Sequence, residues 1–153
     1  ITTQELVDFL EAANQSTYAN KAAEKAPATR LASEDYHYEQ DNLIYHDTYF
    51  GGRDFIGGET VYKDKVPFWG MNYYGYILDM EVAENDVYDF LRAALMCEPG
   101  DIIPIRGPKS FDQDVWGYRN NPQGDLARFT GTEDIFLNQT LVYRADYHGG
   151  FIR

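Results

Sequence analysis

Cysteine is nearly absent from this chain of 153 residues: Cys97 stands alone, so no internal disulfide can form. That suits a reducing compartment, and a cytoplasmic location is the expectation. Cys97 falls at the end of a predicted helix, where the dipole disfavours a thiolate, so it reads as a small hydrophobe. Basic residues are scarce too, with 13 Lys and Arg against 25 Asp and Glu and a formal net charge of −12. Phosphate backbones and anionic headgroups are bound through Lys and Arg. Nucleic-acid binding by this domain alone is therefore excluded, and membrane-surface binding is disfavoured. No apolar run approaches the roughly 20 residues that span a bilayer. There is no signal-peptide pattern, although the chain begins at Ile1 rather than Met. H-E-x-x-H, paired C-x-x-C, calcium-loop and nucleophile-elbow patterns are all missing, so no metal or cofactor is expected. No repeat or linker divides the chain, which reads as one domain over 1–153.

Aromatic residues are abundant: 13 Tyr, 9 Phe and 2 Trp make up 16% of the sequence. A chain of this length buries roughly 68–70% of its unfolded surface, enough for a core without covalent staples. Thr2 and Glu5 form a capping box ahead of Leu6, Phe9, Leu10 and Ala13, which predicts an amphipathic helix over 3–14. Asn14 to Ser33 is polar, broken by Pro27, and is expected to be a loop or a frayed helical extension. A second helix is expected after a cap at Asn85 or Asp86. It carries Val87, Phe90, Leu91, Ala94 and Leu95 as its apolar stripe and ends at Pro99-Gly100.

Strands are expected at Leu43–Phe50, Glu59–Lys63, Val66–Leu78, Ile102–Ile105, Leu126–Thr130, Asp134–Leu137 and Thr140–His148, with a hairpin turn at Asp64. Residues 108–125 read as a long loop. The fold class is therefore α+β: a curved, mainly antiparallel sheet of about six strands with two principal helices packed on it. Strand 66–78 is two-sided in an unusual way. Trp69, Met71, Tyr73 and Ile77 share one face, while Phe68, Gly70, Asn72, Tyr74 and Tyr76 share the other. A face open to water would be more polar, so both should be covered, and Gly70 and Gly75 would allow the strand to bend.

Four constellations bear on chemistry. Asp35, His37 and Glu39 would lie on one face of an extended strand, a start for a zinc or iron site. Ordinary polar alternation is the simpler reading, since no second ligand cluster follows. Gly51-Gly52 and Gly57-Gly58 resemble a phosphate loop but feed a strand rather than a helix, so they read as turn glycines. Arg144, Asp146 and His148 share a face of the last strand, as a surface ion-pair row would. The aromatic lining around Asn72 is the remaining candidate, because a buried amide needs a partner and ligand sites place few polar groups among apolar walls.

Phe55-Ile56-Gly57-Gly58-Glu59, Val61-Tyr62, the run Trp69-Gly70-Met71-Asn72-Tyr73-Tyr74-Gly75, Arg106-Gly107-Pro108, Arg128-Phe129 with Gly131 and Glu133, and Val142-Tyr143 with Tyr147-His148-Gly149-Gly150 resemble an uncharacterised bacterial family, domain of unknown function 5680. The resemblance spans nearly the whole chain and implies no activity. Some members resemble the C-terminal part of helix-turn-helix regulators, but here helix 1 runs into a loop with no recognition helix, so DNA binding does not carry over. The leading expectation is a small or peptide-like ligand held in an aromatic pocket on the concave sheet face. Phe68, Tyr74 and Tyr76 would form the walls. Asn72, Glu59, Arg106 and His148 would orient the ligand, with Arg106 gripping a carboxylate through its fork. Two alternatives stand beside it. One is a hydrolase or isomerase using His148 or Glu59 as general base. The other is a homodimeric interaction module with exposed aromatics at its interface.

Overall fold

The computed structural model describes residues 1–98 and 105–153. The first helix, α1 (Thr3–Ser16), starts where its cap predicts: the Glu5 amide donates to Thr2 Oγ1 at 3.1 Å, and the Thr2 amide donates back to Glu5 Oε2 at 2.6 Å. Leu6, Phe9, Leu10 and Ala13 are buried beneath it. The second, α2 (Glu84–Leu95), buries the expected stripe, with Tyr88 added. Its N-cap is Ala83, which makes no side-chain cap bond, rather than Asn85 or Asp86. The expected stop at Pro99-Gly100 and the strand over 102–105 fall largely outside the described residues.

Eight strands, not about six, form one antiparallel sheet among the described residues. They are β1 (Glu34–Gln40), β2 (Leu43–Gly51), β3 (Phe55–Lys63), β4 (Val66–Ile77), β5 (Ser110–Gln113), β6 (Trp116–Asp125), β7 (Arg128–Leu137) and β8 (Thr140–Phe151), in the order β1-β2-β3-β4-β8-β7-β6-β5. Two-residue hairpin turns link several of them. Asp64-Lys65 and Asn138-Gln139 hold positive φ at both positions, which matches the twist of the flanking strands. The expected loop over 108–125 is in fact the β5–β6 hairpin. Its Asn, Pro, Gln and Gly carry little strand propensity, and pairing with β7 supplies the order instead. The same cause hid the middle of β7, where Gly131 and Glu133 look like a break but lie within a continuous strand.

Both helices lie on one face of the sheet. Under α1 pack Tyr45, Val61, Trp69, Met71, Tyr73, Phe129 and Tyr147, and around α2 pack Ile77, Tyr118, Ile135, Val142, Tyr143 and Ala145. Phe90 of α2 stacks on Phe111 and Trp116 at 5.5 Å from each ring, which ties the β5–β6 hairpin to the core. Three aromatic rings on this face lie across glycines of the neighbouring strand: Phe55 on Gly75, Tyr147 on Gly131 and Phe129 on Gly149. A Cβ at Gly75 would sit 2.3 Å from the Phe55 ring, so Gly75 makes room for an aromatic rather than merely allowing a bend. The polar segment after α1 is pinned by Thr17 Oγ1 donating to Ala13 O, by Arg92 Nε donating to Tyr18 O, and by the Lys21–Asp89 and Lys25–Glu34 pairs.

The opposite face carries no helix among the described residues. Asn72 and His148 are exposed and Tyr74 is 44% exposed, so this side is wetter than the alternation of strand 66–78 implies. No helix in the described residues is long and apolar enough to cross a membrane.

Candidate functional site

Six of the seven expected site residues divide between the two faces, and the seventh joins the core. Asn72 and His148 are direct cross-strand neighbours on the open face, and Tyr74 stands beside them. All three line a broad trough of about 1560 Å³ that reaches from His37 and His46 on one side to Asn121 and Gln123 on the other. Tyr76 shares this face and packs 5.8 Å from Tyr74, outside the trough lining. Phe68 does not belong here. It has no partner at the β3–β4 register shift, and the bulge turns it against the hydrophobic core.

Glu59 and Arg106 lie on the helix-covered face, so the Glu59 and His148 side chains point to opposite sides of the sheet. Glu59 and Arg106 both line an interior cavity of about 240 Å³ bounded by the end of α1, by α2 and by the sheet, with the exposed Gly51 and Gly52 and the half-buried Glu84 at its rim. Strand alternation builds its floor. Tyr45 and Asp47 on β2 point inward, Glu59 on β3 stands directly opposite Asp47, and Tyr73 arrives from β4. Tyr45 donates to Glu59 Oε2 at 2.7 Å, and Tyr73 donates to Asp47 Oδ1 at 2.6 Å. Asp47 is 4% exposed and Glu59 7%. Neither carboxylate makes an ion pair among the described residues.

Burial and the adjacent Glu59 charge push the Asp47 carboxyl up to about 7, against the pull of the Tyr73 hydroxyl and the Arg106 charge. Burial raises Glu59 as well, opposed by Tyr45 and Arg106. Opposed buried carboxyls cannot both ionise at low cost, so near neutral pH this pair carries a titratable proton. Burial also dominates at Tyr18 on the cavity wall, whose hydroxyl is pushed up to about 12.

Arg106 is committed elsewhere. Its Nε and Nη2 donate to Glu133 at 3.1 and 2.8 Å, and Tyr118 and Tyr143 complete the Glu133 shell at 2.5 and 2.8 Å. The two-pronged grip expected for a ligand carboxylate is thus made inside the protein. Arg106 itself holds φ at 74°, and Asn120 secures the flanking backbone through Ile105 O and Gly107 O. The guanidinium also lies 5.4 Å from the centre of the Tyr73 ring, so its charge reaches the cavity.

Asp47 and Tyr45 escaped the sequence reading, which named Tyr73 only as an inward-facing strand residue and Glu133 only within the family motif. The signal for Asp47 was a lone carboxylate on a face otherwise made of Leu43, Tyr45 and Tyr49. Among the described residues no group of three or more His, Cys, Asp or Glu side chains is placed to hold a metal ion.

Fold and cavity together define a class of protein: an antiparallel sheet covered on one face by two helices, with a carboxylate-floored hollow between the layers. Residues 47–152 match the family model described as Domain of unknown function (DUF5680), and the chain belongs to that family. No curated protein and no solved structure matches the chain. The match takes in Asp47, Glu59, Arg106 and Glu133 but not α1 or β1.

Proposed function

We propose that this domain binds a compact small molecule in the interior cavity and recognises it through the Asp47–Glu59 pair. The observation that carries this reading is the pair itself: two buried carboxyls placed opposite one another, aimed into a hollow, without a cationic partner. Such an arrangement costs stability, and groups of this kind concentrate where a ligand repays the cost. Lys25 pairs with Glu34 and Arg106 with Glu133, and Arg92 on the wall is held against Tyr18, donating to Tyr18 O and lying 4.3 Å from its ring centre, so Asp47 and Glu59 face the hollow at the floor with no ion pair of their own among the described residues. A ligand bearing an amine or another strong hydrogen-bond donor complements that floor, while Tyr18, Tyr49, Phe55 and Tyr88 supply apolar walls. The small volume favours metabolite-sized molecules over peptides.

The test is a thermal-shift panel of small primary amines and their alcohol counterparts. A binder should raise the melting temperature of the wild type and do so far less in Asp47→Asn or Glu59→Gln. If every binder stabilises the wild type and both variants equally, the pair is not the recognition element.

A second reading rests on the placement of Asp47 opposite Glu59, where burial and the neighbouring carboxyl push its pKa up to about 7. A general base works best when its pKa lies near the working pH, so the pair is suited to proton transfer on a bound ligand. Glu59 remains from the expected general-base candidates, acting with Asp47 rather than with His148. Turnover that falls in Asp47→Asn while ligand affinity is kept would separate this reading from simple binding.

A further inference from the structure

The open face holds a second polar cluster that the interior cavity does not use. His37 on β1 and His46 on β2 are direct partners in the antiparallel ladder. Their rings lie 5.4 Å apart at 66°, and their Nδ1 atoms approach to 3.1 Å. The other nitrogen of each ring is already committed to a carboxylate. His46 Nε2 meets Asp35 Oδ2 at 2.6 Å, and His37 Nε2 meets Glu39 Oε1 at 2.8 Å.

Those partners decide the tautomers. An ionised carboxylate only accepts, so each Nε2 carries the hydrogen and each Nδ1 of a neutral ring presents a lone pair. Asp35 has no proton to donate in return, because it also accepts from Ser33, Thr48 and the Thr29 hydroxyl and amide. Two lone pairs 3.1 Å apart repel unless a positive centre lies between them.

We propose that His37 and His46 form a two-imidazole chelate for a divalent transition-metal ion of the zinc or copper class, open to the trough. Ligand nitrogens at about 2.0–2.1 Å from a metal, at square-planar to tetrahedral angles, lie about 2.9–3.3 Å from each other. The observed separation falls in that range. Carboxylates that take the remote N–H of each ring are the usual support of a metal-binding histidine, fixing its tautomer and raising its basicity. Entry is unobstructed, since the His37 side chain is 38% exposed and that of His46 22%, and both line the trough. Two protein ligands leave the remaining positions to water or to a donor atom of a molecule lying in the trough. Both histidines lie outside the residues matched by the family model, so the site would be a feature of this chain rather than of the family.

Calorimetric titration of the untagged full chain with Zn²⁺, and Cu²⁺ electron paramagnetic resonance, test the proposal. The wild type should bind one equivalent and show coupling to two nitrogens. His37→Gln and His46→Gln should each weaken binding by more than 10-fold, and Glu39→Ala by about 10–100-fold, because it keeps both ligands but releases one ring. Equal binding by the wild type and both histidine variants, or no stoichiometric binding by the wild type, overturns it. Should a histidine variant fail to fold, nitrogen-15 spectra of the wild type alone decide. Zn²⁺ must move both Nδ1 resonances, and an imidazole–imidazolium signature unchanged by metal means that the pair shares only a proton.

Discussion

The two sides of this sheet solve the same electrostatic problem in different surroundings. Arg106 and Glu133 on the covered face, and Arg144 and Asp134 on the open face, both form two-pronged guanidinium–carboxylate pairs with distances of 2.7–3.1 Å. Burial separates them through the arginine: Glu133 is fully buried with Arg106 10% exposed, whereas Asp134 is 10% exposed but its partner Arg144 is 40% exposed and open to water. Geometry alone therefore says little about what a pair contributes. The cost of removing one partner is set by whether water can replace it.

The largest effect should come from breaking the inner pair. Glu133→Leu leaves Arg106 and the hydroxyls of Tyr118 and Tyr143 without their shared acceptor in the buried interior. A loss of about 3–5 kcal/mol is expected in denaturant unfolding. A loss under about 1 kcal/mol would show that the covered face admits water.

Packing offers the next contrast. Ala at Gly131 would place its Cβ 2.2 Å from the Tyr147 ring, a rigid neighbour on the covered face. At Gly58, on the trough side, the nearest atom is the Asn72 side-chain oxygen at 2.5 Å, which can swing away. Gly131→Ala should cost about 1–3 kcal/mol and Gly58→Ala clearly less by thermal unfolding. Equal costs would mean that the open face is as tightly packed as the core.

The cavity predicts a pH dependence of a particular sign. Because folding raises the Asp47 pKa from 3.8 to about 7, the folded state holds the extra proton between those values. Stability is then lost as pH rises through that window. Asp47→Asn removes the penalty, so its advantage over the wild type in thermal unfolding should grow steadily from pH 4 to pH 8, by up to about 4 kcal/mol for the full shift. A difference that stays flat across those pH values would show that Asp47 is ionised in the folded protein throughout.

The smallest effect belongs to the outer pair. Asp134→Asn should change stability by about 0–1 kcal/mol, and salt should shrink that further. A loss approaching that of Glu133→Leu would erase the distinction between the faces.

The helices and the hairpin at Asp64 were legible because their signals are local. A capping box, a 3.6-residue stripe and two-residue turns each act within a few positions. The β5–β6 hairpin and the join within β7 were not, since their order comes from partners distant in sequence. Of the expected site, Asn72, Tyr74 and His148 do meet at the trough. Glu59 and Arg106 meet at the cavity instead, and Phe68 joins neither because a bulge reverses its direction. Asp47 and Glu133 were missed for one reason: a carboxylate in a strand is ordinarily read as solvated, and only the covering helices make it a buried charge.

Sequence alone determined the α+β class, both helices, the inward face of β4 and the absence of an internal disulfide, because periodicity and residue chemistry act over short stretches. Tertiary structure decided which carboxyls lost their water, which face stayed open and which histidines came to face one another. Those outcomes depend on strand order and register, which bring together residues as distant as Arg106 and Glu133, and no local pattern encodes them.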